Sequence, residues 1–151
     1  MQDWLKNHPL LFVGLLLLGI ACYWILIMNL ISLTGGWKTL SKRFRLQQPY
    51  TGAFWKWQRA MMRMFVSYNG CLIVGADQMG LFLDIMLLFR PGHPALFVPW
   101  NEVTVARKSW MANDRVEMRL GRSEQVLFKI RGSLASQLQT AAGQSWPAPF
   151  I

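Results

Sequence analysis

The distribution of apolar and polar positions divides the chain into two regimes. Between Pro9 and Trp37 no charged residue occurs, and the middle of that run reads LLFVGLLLLGIACYWILIMNLISL. From Leu10 to Leu33 a helix rising about 1.5 Å per residue would extend roughly 36 Å. That is enough to cross a hydrocarbon core of about 30 Å with some tilt. A buried helix of a soluble protein would show a polar stripe over this length, and none is present. The pattern therefore predicts a transmembrane helix over 10–33. From Met62 onward the runs shorten and alternate. Strands are predicted at 63–68, 71–76, 80–85, 86–90, 95–99, 103–110, 115–121 and 125–131, each bounded by turn residues. Asn69-Gly70 reads as a two-residue hairpin turn, because both residues tolerate positive φ. Pro91-Gly92 reverses the chain within RPGHP, ADQMG makes another tight connection, and MANDR and GRSEQ supply two more. A final stretch, 133–144, has Leu134 and Leu138 at helical spacing, Ser133 as cap and Gly143 as stop. The fold class predicted is one N-terminal transmembrane helix followed by a mainly antiparallel β domain. That domain is a sandwich or barrel of about seven strands, closed by a C-terminal α-helix. The predicted organisation is a short non-cytoplasmic N-terminus at 1–9, the span, a basic amphipathic juxtamembrane segment at 34–61 and the β domain at 62–151.

Charge orients this arrangement. Asp3, Lys6 and His8 precede the span. Lys38, Lys42, Arg43, Arg45, Lys56, Arg59 and Arg63 follow it, with no acid between Asp3 and Asp77. Cationic residues are retained on the cytoplasmic side, so the C-terminal part is expected in the cytoplasm and the short N-terminus outside. A cleaved signal peptide fits less well, since the apolar run is too long and no small-residue cleavage site precedes a polar start. GIAC, ending at Cys22, resembles a lipoprotein acylation box only faintly, with Gly19 where Leu is expected. The juxtamembrane stretch WKTLSKRF places Trp37, Leu40 and Phe44 on one side of a short helix, with Lys38, Lys42, Arg43 and Arg45 around it. These seven residues are expected at the membrane interface, the cations near anionic lipid headgroups. The competing arrangement packs the three apolar residues on the domain and leaves the charges in water. The net charge of +9 could also attract nucleic acid, but no recognition helix, zinc-ligand set or stacking strand accompanies it, and none is expected as a partner.

A strand meander followed by one C-terminal helix resembles the pleckstrin-homology superfold, including its bacterial and GRAM-type members. FVPWNEVTVARKS is similar to the strand entry that recurs in such domains, and the frame from GGWKTLSKRFR to LLFRPGHPALFVPWNEV resembles a family of small bacterial membrane proteins. The resemblance covers roughly 62–143. It implies a fold and a binding or scaffolding role, and carries over no catalytic residue. Phosphoinositide-binding members use a basic loop between their first two strands. At that position this chain has the short, uncharged Asn69-Gly70.

Catalytic chemistry finds little support in the residue types. A nucleophile needs a base and an orienting group, yet His93 is the one histidine after the span and Cys71 the one cysteine. The acids Asp77, Asp84, Glu102, Asp114, Glu117 and Glu124 form no metal-ligand spacing, so no metal and no cofactor is expected. Cys22 and Cys71 are not expected to pair, and Trp100 reads as a packing residue. Arg90 and His93, on the RPGHP turn, are the expected contacts for a partner. The chain is thus expected to be a non-enzymatic interaction module that binds anionic lipid headgroups or a membrane protein partner. The alternatives are an accessory subunit of a larger membrane complex, with Asn29 bonding a neighbouring helix, and less readily a small enzyme or sensor using His93.

Overall fold

The computed structural model describes residues 1–64, 66–110 and 113–147. A short helix α1, Gln2–Asn7, precedes α2, Pro9–Gly35, which is long and apolar enough to cross a membrane and leaves its apolar window entirely uncovered. Left-handed Gly36 then breaks the axis, and α3, Trp37–Phe44, turns onto the domain. Seven strands follow: β1 Ala53–Met62, β2 Val66–Ala76, β3 Gly80–Ile85, β4 Leu96–Pro99, β5 Val103–Trp110, β6 Asn113–Leu120 and β7 Val126–Arg131. Helix α4, Gly132–Ala142, ends the domain. The predicted class, an apolar N-terminal helix, an antiparallel β domain of seven strands and a C-terminal helix, is the one observed.

The strands form one antiparallel sheet in the order β4-β3-β2-β1-β7-β6-β5, curled into a near-barrel. β1 is the corner: it pairs with β2 along its length and with β7 only at Met61 and Met62. Strands on either side alternate inward and outward, as in Val126, Phe128 and Ile130 of β7 and Val116, Met118 and Leu120 of β6, all buried. Leu134, Leu138 and Ala142 of α4 close the core at one place; Trp37, Leu40 and Phe44 of α3 close it at another. Residues 45–46 continue onto the β4 edge through an Arg45 bridge to Leu96 and a bond from Leu46 N–H to the Ala95 carbonyl (2.8 Å). That covers an edge which would otherwise be open to pairing.

Three expectations about the elements are corrected. Asn69 and Gly70 are not a hairpin turn; β2 runs straight through them, and the chain reverses between Met62 of β1 and Val66 of β2. The pairs Ala60 with Tyr68 and Gln58 with Leu72 show why: four β2 steps oppose two in β1, so the dipeptide is a bulge, with Gly70 at φ 74°. Bulge and turn draw on the same tolerance of positive φ, so the same dipeptide serves either. The predicted strand 86–90 is instead a 3-10 turn, Leu87–Phe89. The predicted domain boundary at 62 cuts a hairpin, because β1 and α3 both belong to the domain. The reversal at Pro91 and Gly92 stands, and the turn expected at Met111 and Ala112 lies outside the described residues.

Candidate functional site

Two surfaces hold side chains whose placement goes beyond filling the core. The first is the seam where α2 meets the domain. From Trp24 onward α2 is no longer free: Met28, Ser32 and Gly35 are buried, Ser32 against the segment that follows β3 and Gly35 against Val66 of β2. Trp24 Nε1 donates to the Leu88 carbonyl (2.8 Å) and its ring lies 5.6 Å from Phe89. Ser32 Oγ donates to the Gly92 carbonyl, and Trp37 Nε1 donates to the Pro94 carbonyl (2.8 Å). Residues 88, 92 and 94 thus climb beside 24, 32 and 37, a ladder between a turn and a helix. Gly92 allows the approach: its φ is 73°, and a Cβ there would fall 2.8 Å from Asn29 Oδ1 and 3.1 Å from Asn29 Cα.

His93 sits inside this seam, fully buried. Its Nδ1 is 2.9 Å from the Pro91 carbonyl and its Nε2 is 2.9 Å from Tyr68 Oη, while the Trp37 ring packs against it at 5.1 Å. A carbonyl only accepts, so Nδ1 carries the proton and Nε2 accepts from Tyr68, which fixes the neutral tautomer. Burial holds the imidazole below its ordinary value of 6.5, against the Pro91 carbonyl, which favours the charged form. Burial likewise raises the Tyr68 phenol and the Cys71 thiol. The assignment of His93 to an exposed partner contact is therefore corrected: the ring is enclosed and both nitrogens are engaged. Arg90 is half-exposed and bonds Asp84 (2.9 Å), which pins the turn. Asn29 donates one N–H of its Nδ2 to the Ile25 carbonyl of its own helix (2.8 Å).

The juxtamembrane residues part company in the same way. Trp37, Leu40 and Phe44 are in the core and not at a lipid interface, since the break at Gly36 swings their face onto the sheet. Arg43 is bound to Glu102 (3.0 Å) and Glu124 (3.1 Å). Backbone donation from Arg122 in turn lowers the Glu102 carboxyl, and Arg43 adds to this. Lys38, Lys42 and Arg45 remain exposed. Trp100 is a packing residue, its Nε1 bonded to the Asp77 carbonyl (2.8 Å).

The second surface is a cleft of about 510 Å³ on the outer side of β1, β7 and β6, bordered by the start of α4. Arg59, Arg115, Lys129 and Arg131 line it together with Asp114, whose carboxyl lies beside Gly132. Lys129 lies 3.4 Å from Glu117. Among the described residues none of the three arginines is in an ion pair, and Arg115 stands directly opposite Arg131 across the β6–β7 ladder. Like charges in that position destabilise a sheet. A smaller hollow adjoins the cleft, lined by Trp57, Gln58, Arg59, Arg131, Ser133 and Leu134. Trp57 is 67% exposed and holds φ at 60°, at the shift in register between Trp55 and Gln58. A bulky residue in the left-handed region is strained and uncommon. The sequence assigns none of these residues to a ligand site: Arg59 enters it only among the cations after the span, and Ser133 and Leu134 only as parts of the terminal helix. The alternation in RVEMRLG and QVLFKIR places Arg115, Lys129 and Arg131 on one side of their strands, but only the pairing of β6 with β7 brings them together.

Among the described residues no three His, Cys, Asp or Glu side chains are grouped to hold a metal ion. No family model matches the chain, nor does any curated protein or solved structure.

Proposed function

We propose that this chain is a single-pass protein of the bacterial inner membrane which holds a pleckstrin-homology-like domain fixed at the cytoplasmic face. There it acts as a non-enzymatic interaction module for an anionic ligand, an acidic segment of a protein partner or the headgroups of anionic lipid. The observation that carries this reading is the seam. The domain packs directly on the last turns of its own apolar helix, by Trp24, Met28 and Ser32, with no flexible linker between them. A domain joined in this way keeps one orientation to the membrane, which suits presentation of a surface. The excess of cations after α2 supports the cytoplasmic side. The meander of seven strands with its terminal helix supports the resemblance to pleckstrin-homology domains.

The surface presented is the cleft of Arg59, Arg115 and Arg131 with Trp57 beside it. Arginine and tryptophan dominate binding energy at protein interfaces, and arginine pairs with carboxylate and phosphate through two parallel bonds.

The test is purification of the tagged full chain in mild detergent beside the Arg59→Ser/Arg131→Ser variant, with protein stoichiometry and bound phospholipid measured in both. A stoichiometric partner, or retained anionic lipid, that is present with the wild type and lost from the variant supports the reading. The same complement in both, or none in either, overturns it.

A further inference from the structure

We propose that the turn Leu87–Phe89 is seated in the hydrocarbon of the leaflet on the domain's side, so that lipid grips the domain at a second point beside its own helix. This rests on reading α2 as a membrane span. The argument is one of length. The portion of α2 that no part of the domain touches, 9–23, measures roughly 22 Å at about 1.5 Å per residue. A hydrocarbon core is about 30 Å thick, so the free portion falls short by roughly 8 Å, or about five residues. The deficit is not made up at the other end, because α1 carries Asp3 and Lys6 and is set off from α2 by the break at His8. The hydrocarbon must then reach at least to the level of Trp24 and Met28, and that is the level at which the turn is docked.

The turn is built for that depth. Leu87 is 79% exposed and Leu88 68%, side by side, and the 86–89 stretch carries no charge. The backbone there is bonded internally, from Phe89 N–H to the Met86 carbonyl (2.8 Å) and from Arg90 N–H to the Leu87 carbonyl (3.2 Å). Trp24 satisfies the Leu88 carbonyl, so little unpaired polar backbone is carried into lipid. The nearest charges in the chain, Asp84 before the turn and Arg90 after it, pair with each other (2.9 Å), and beyond Arg90 the chain climbs toward Gly92 and the Asn29 level. An exposed pair of leucines facing water would have no such setting; beside an apolar helix it continues that helix's surface.

The experiment uses the full chain in a Cys22→Ser/Cys71→Ala background, with an environment-sensitive fluorophore attached at Leu88→Cys, Ile20→Cys or Met79→Cys. The proteins are reconstituted into phosphatidylcholine–phosphatidylglycerol vesicles with and without lipid carrying a nitroxide on its acyl chain. Ile20 reports the free helix, and Met79, exposed in the β2–β3 connection, reports the aqueous domain. The expected result is blue-shifted emission and loss of most of the signal to the nitroxide at positions 88 and 20, with neither at 79. If position 20 is quenched while 88 behaves like 79, the turn is in water; the span reading stands and this proposal falls. If position 20 also escapes quenching, α2 does not cross the bilayer and both fall. Leu87→Cys repeats the measurement should near-ultraviolet circular dichroism show that Leu88→Cys does not fold.

Discussion

The seam and the cleft lie on one small domain and follow opposite rules. In the seam each polar group has a partner: Trp24 and Ser32 donate to turn carbonyls, Trp37 to Pro94, and His93 bonds at both nitrogens. In the cleft three arginines stand together, two of them face to face across a ladder, and a tryptophan holds a strained backbone in the open. One arrangement lowers the free energy of the fold; the other raises it. Tension left unrelieved at one place on an otherwise satisfied domain is where an external ligand is expected. The comparison can be broken by mutation, because the same kind of substitution should have opposite signs in the two regions.

The largest effect is expected from Trp37→Ala. The indole is fully buried between Tyr68 and His93 and bonds Pro94, so its removal opens a cavity at the junction of helix, turn and sheet. Loss of a buried aromatic costs about 3–5 kcal/mol. Chemical denaturation of the detergent-solubilised chain, followed by near-ultraviolet circular dichroism, should show a loss in that range. A loss below about 1 kcal/mol would place Trp37 at an interface after all. Gly92→Val comes next. It forces a β-branched side chain onto Asn29 from a left-handed backbone, and overpacking costs about 1–3 kcal/mol before the strain in φ is added. The same substitution at Gly143, which also has positive φ but open space around it, meets only the backbone strain. The difference between the two isolates the close approach of turn to helix.

How far these features could be read from the chain depends on whether the signal was local. The apolar helix, six of the seven strands and the terminal helix rest on periodicity within a few residues, and that was visible. β1 was not. Its AFWKWQRAMM has no clean alternation, because the extra residue at the register shift inverts the phase between Trp55 and Gln58. Asn69-Gly70 was legible as a place of positive φ and illegible as bulge or turn. His93 was misplaced for a related reason: Pro-Gly-His-Pro describes a reversal, while the side of the reversal that packs against α2 is decided by Gly92 meeting Asn29, 63 positions away in the chain. The cleft was hidden longest, since the register of β6 on β7 and of β7 on β1 must be known before its cations become neighbours.

Acid should separate the seam from the rest of the domain. The folded-state His93 lies below 6.5, so unfolded chains bind the proton first as pH falls. Stability from this site is complete above that value, declines as pH drops through it toward the lower folded value, and is fully lost below both. Protonation would also put a hydrogen on Nε2, where Tyr68 now donates. Denaturation midpoints taken from about pH 7.5 down to about pH 5 should fall in the wild type and stay nearly level in His93→Gln. Tyr68→Phe leaves Nε2 without its donor and costs about 1–3 kcal/mol at neutral pH, while the slope of the profile remains, because burial still holds the ring neutral. Glu102 acts in a separate window: its folded value is below 4.5, so its contribution persists until pH falls through that lower range.

The smallest effect decides most about the cleft, because its sign is the reverse of all the others. Arg115→Thr removes one of two guanidinium groups opposed across β6 and β7 and puts a strand-favouring residue in its place. If the cleft were only a solvated face, long arginine stems would shield each other in water and the substitution would be neutral or slightly destabilising. If the opposed pair is held apart for a ligand, relief of the repulsion should raise stability by about 0.2–1 kcal/mol, and added salt should shrink the gain by screening the pair in the wild type. The same variant should bind its anionic partner less well. A protein that becomes more stable and less retentive on losing one arginine has been keeping that arginine for the ligand, whereas Trp37→Ala, on the other region, should cost stability first and binding only through it.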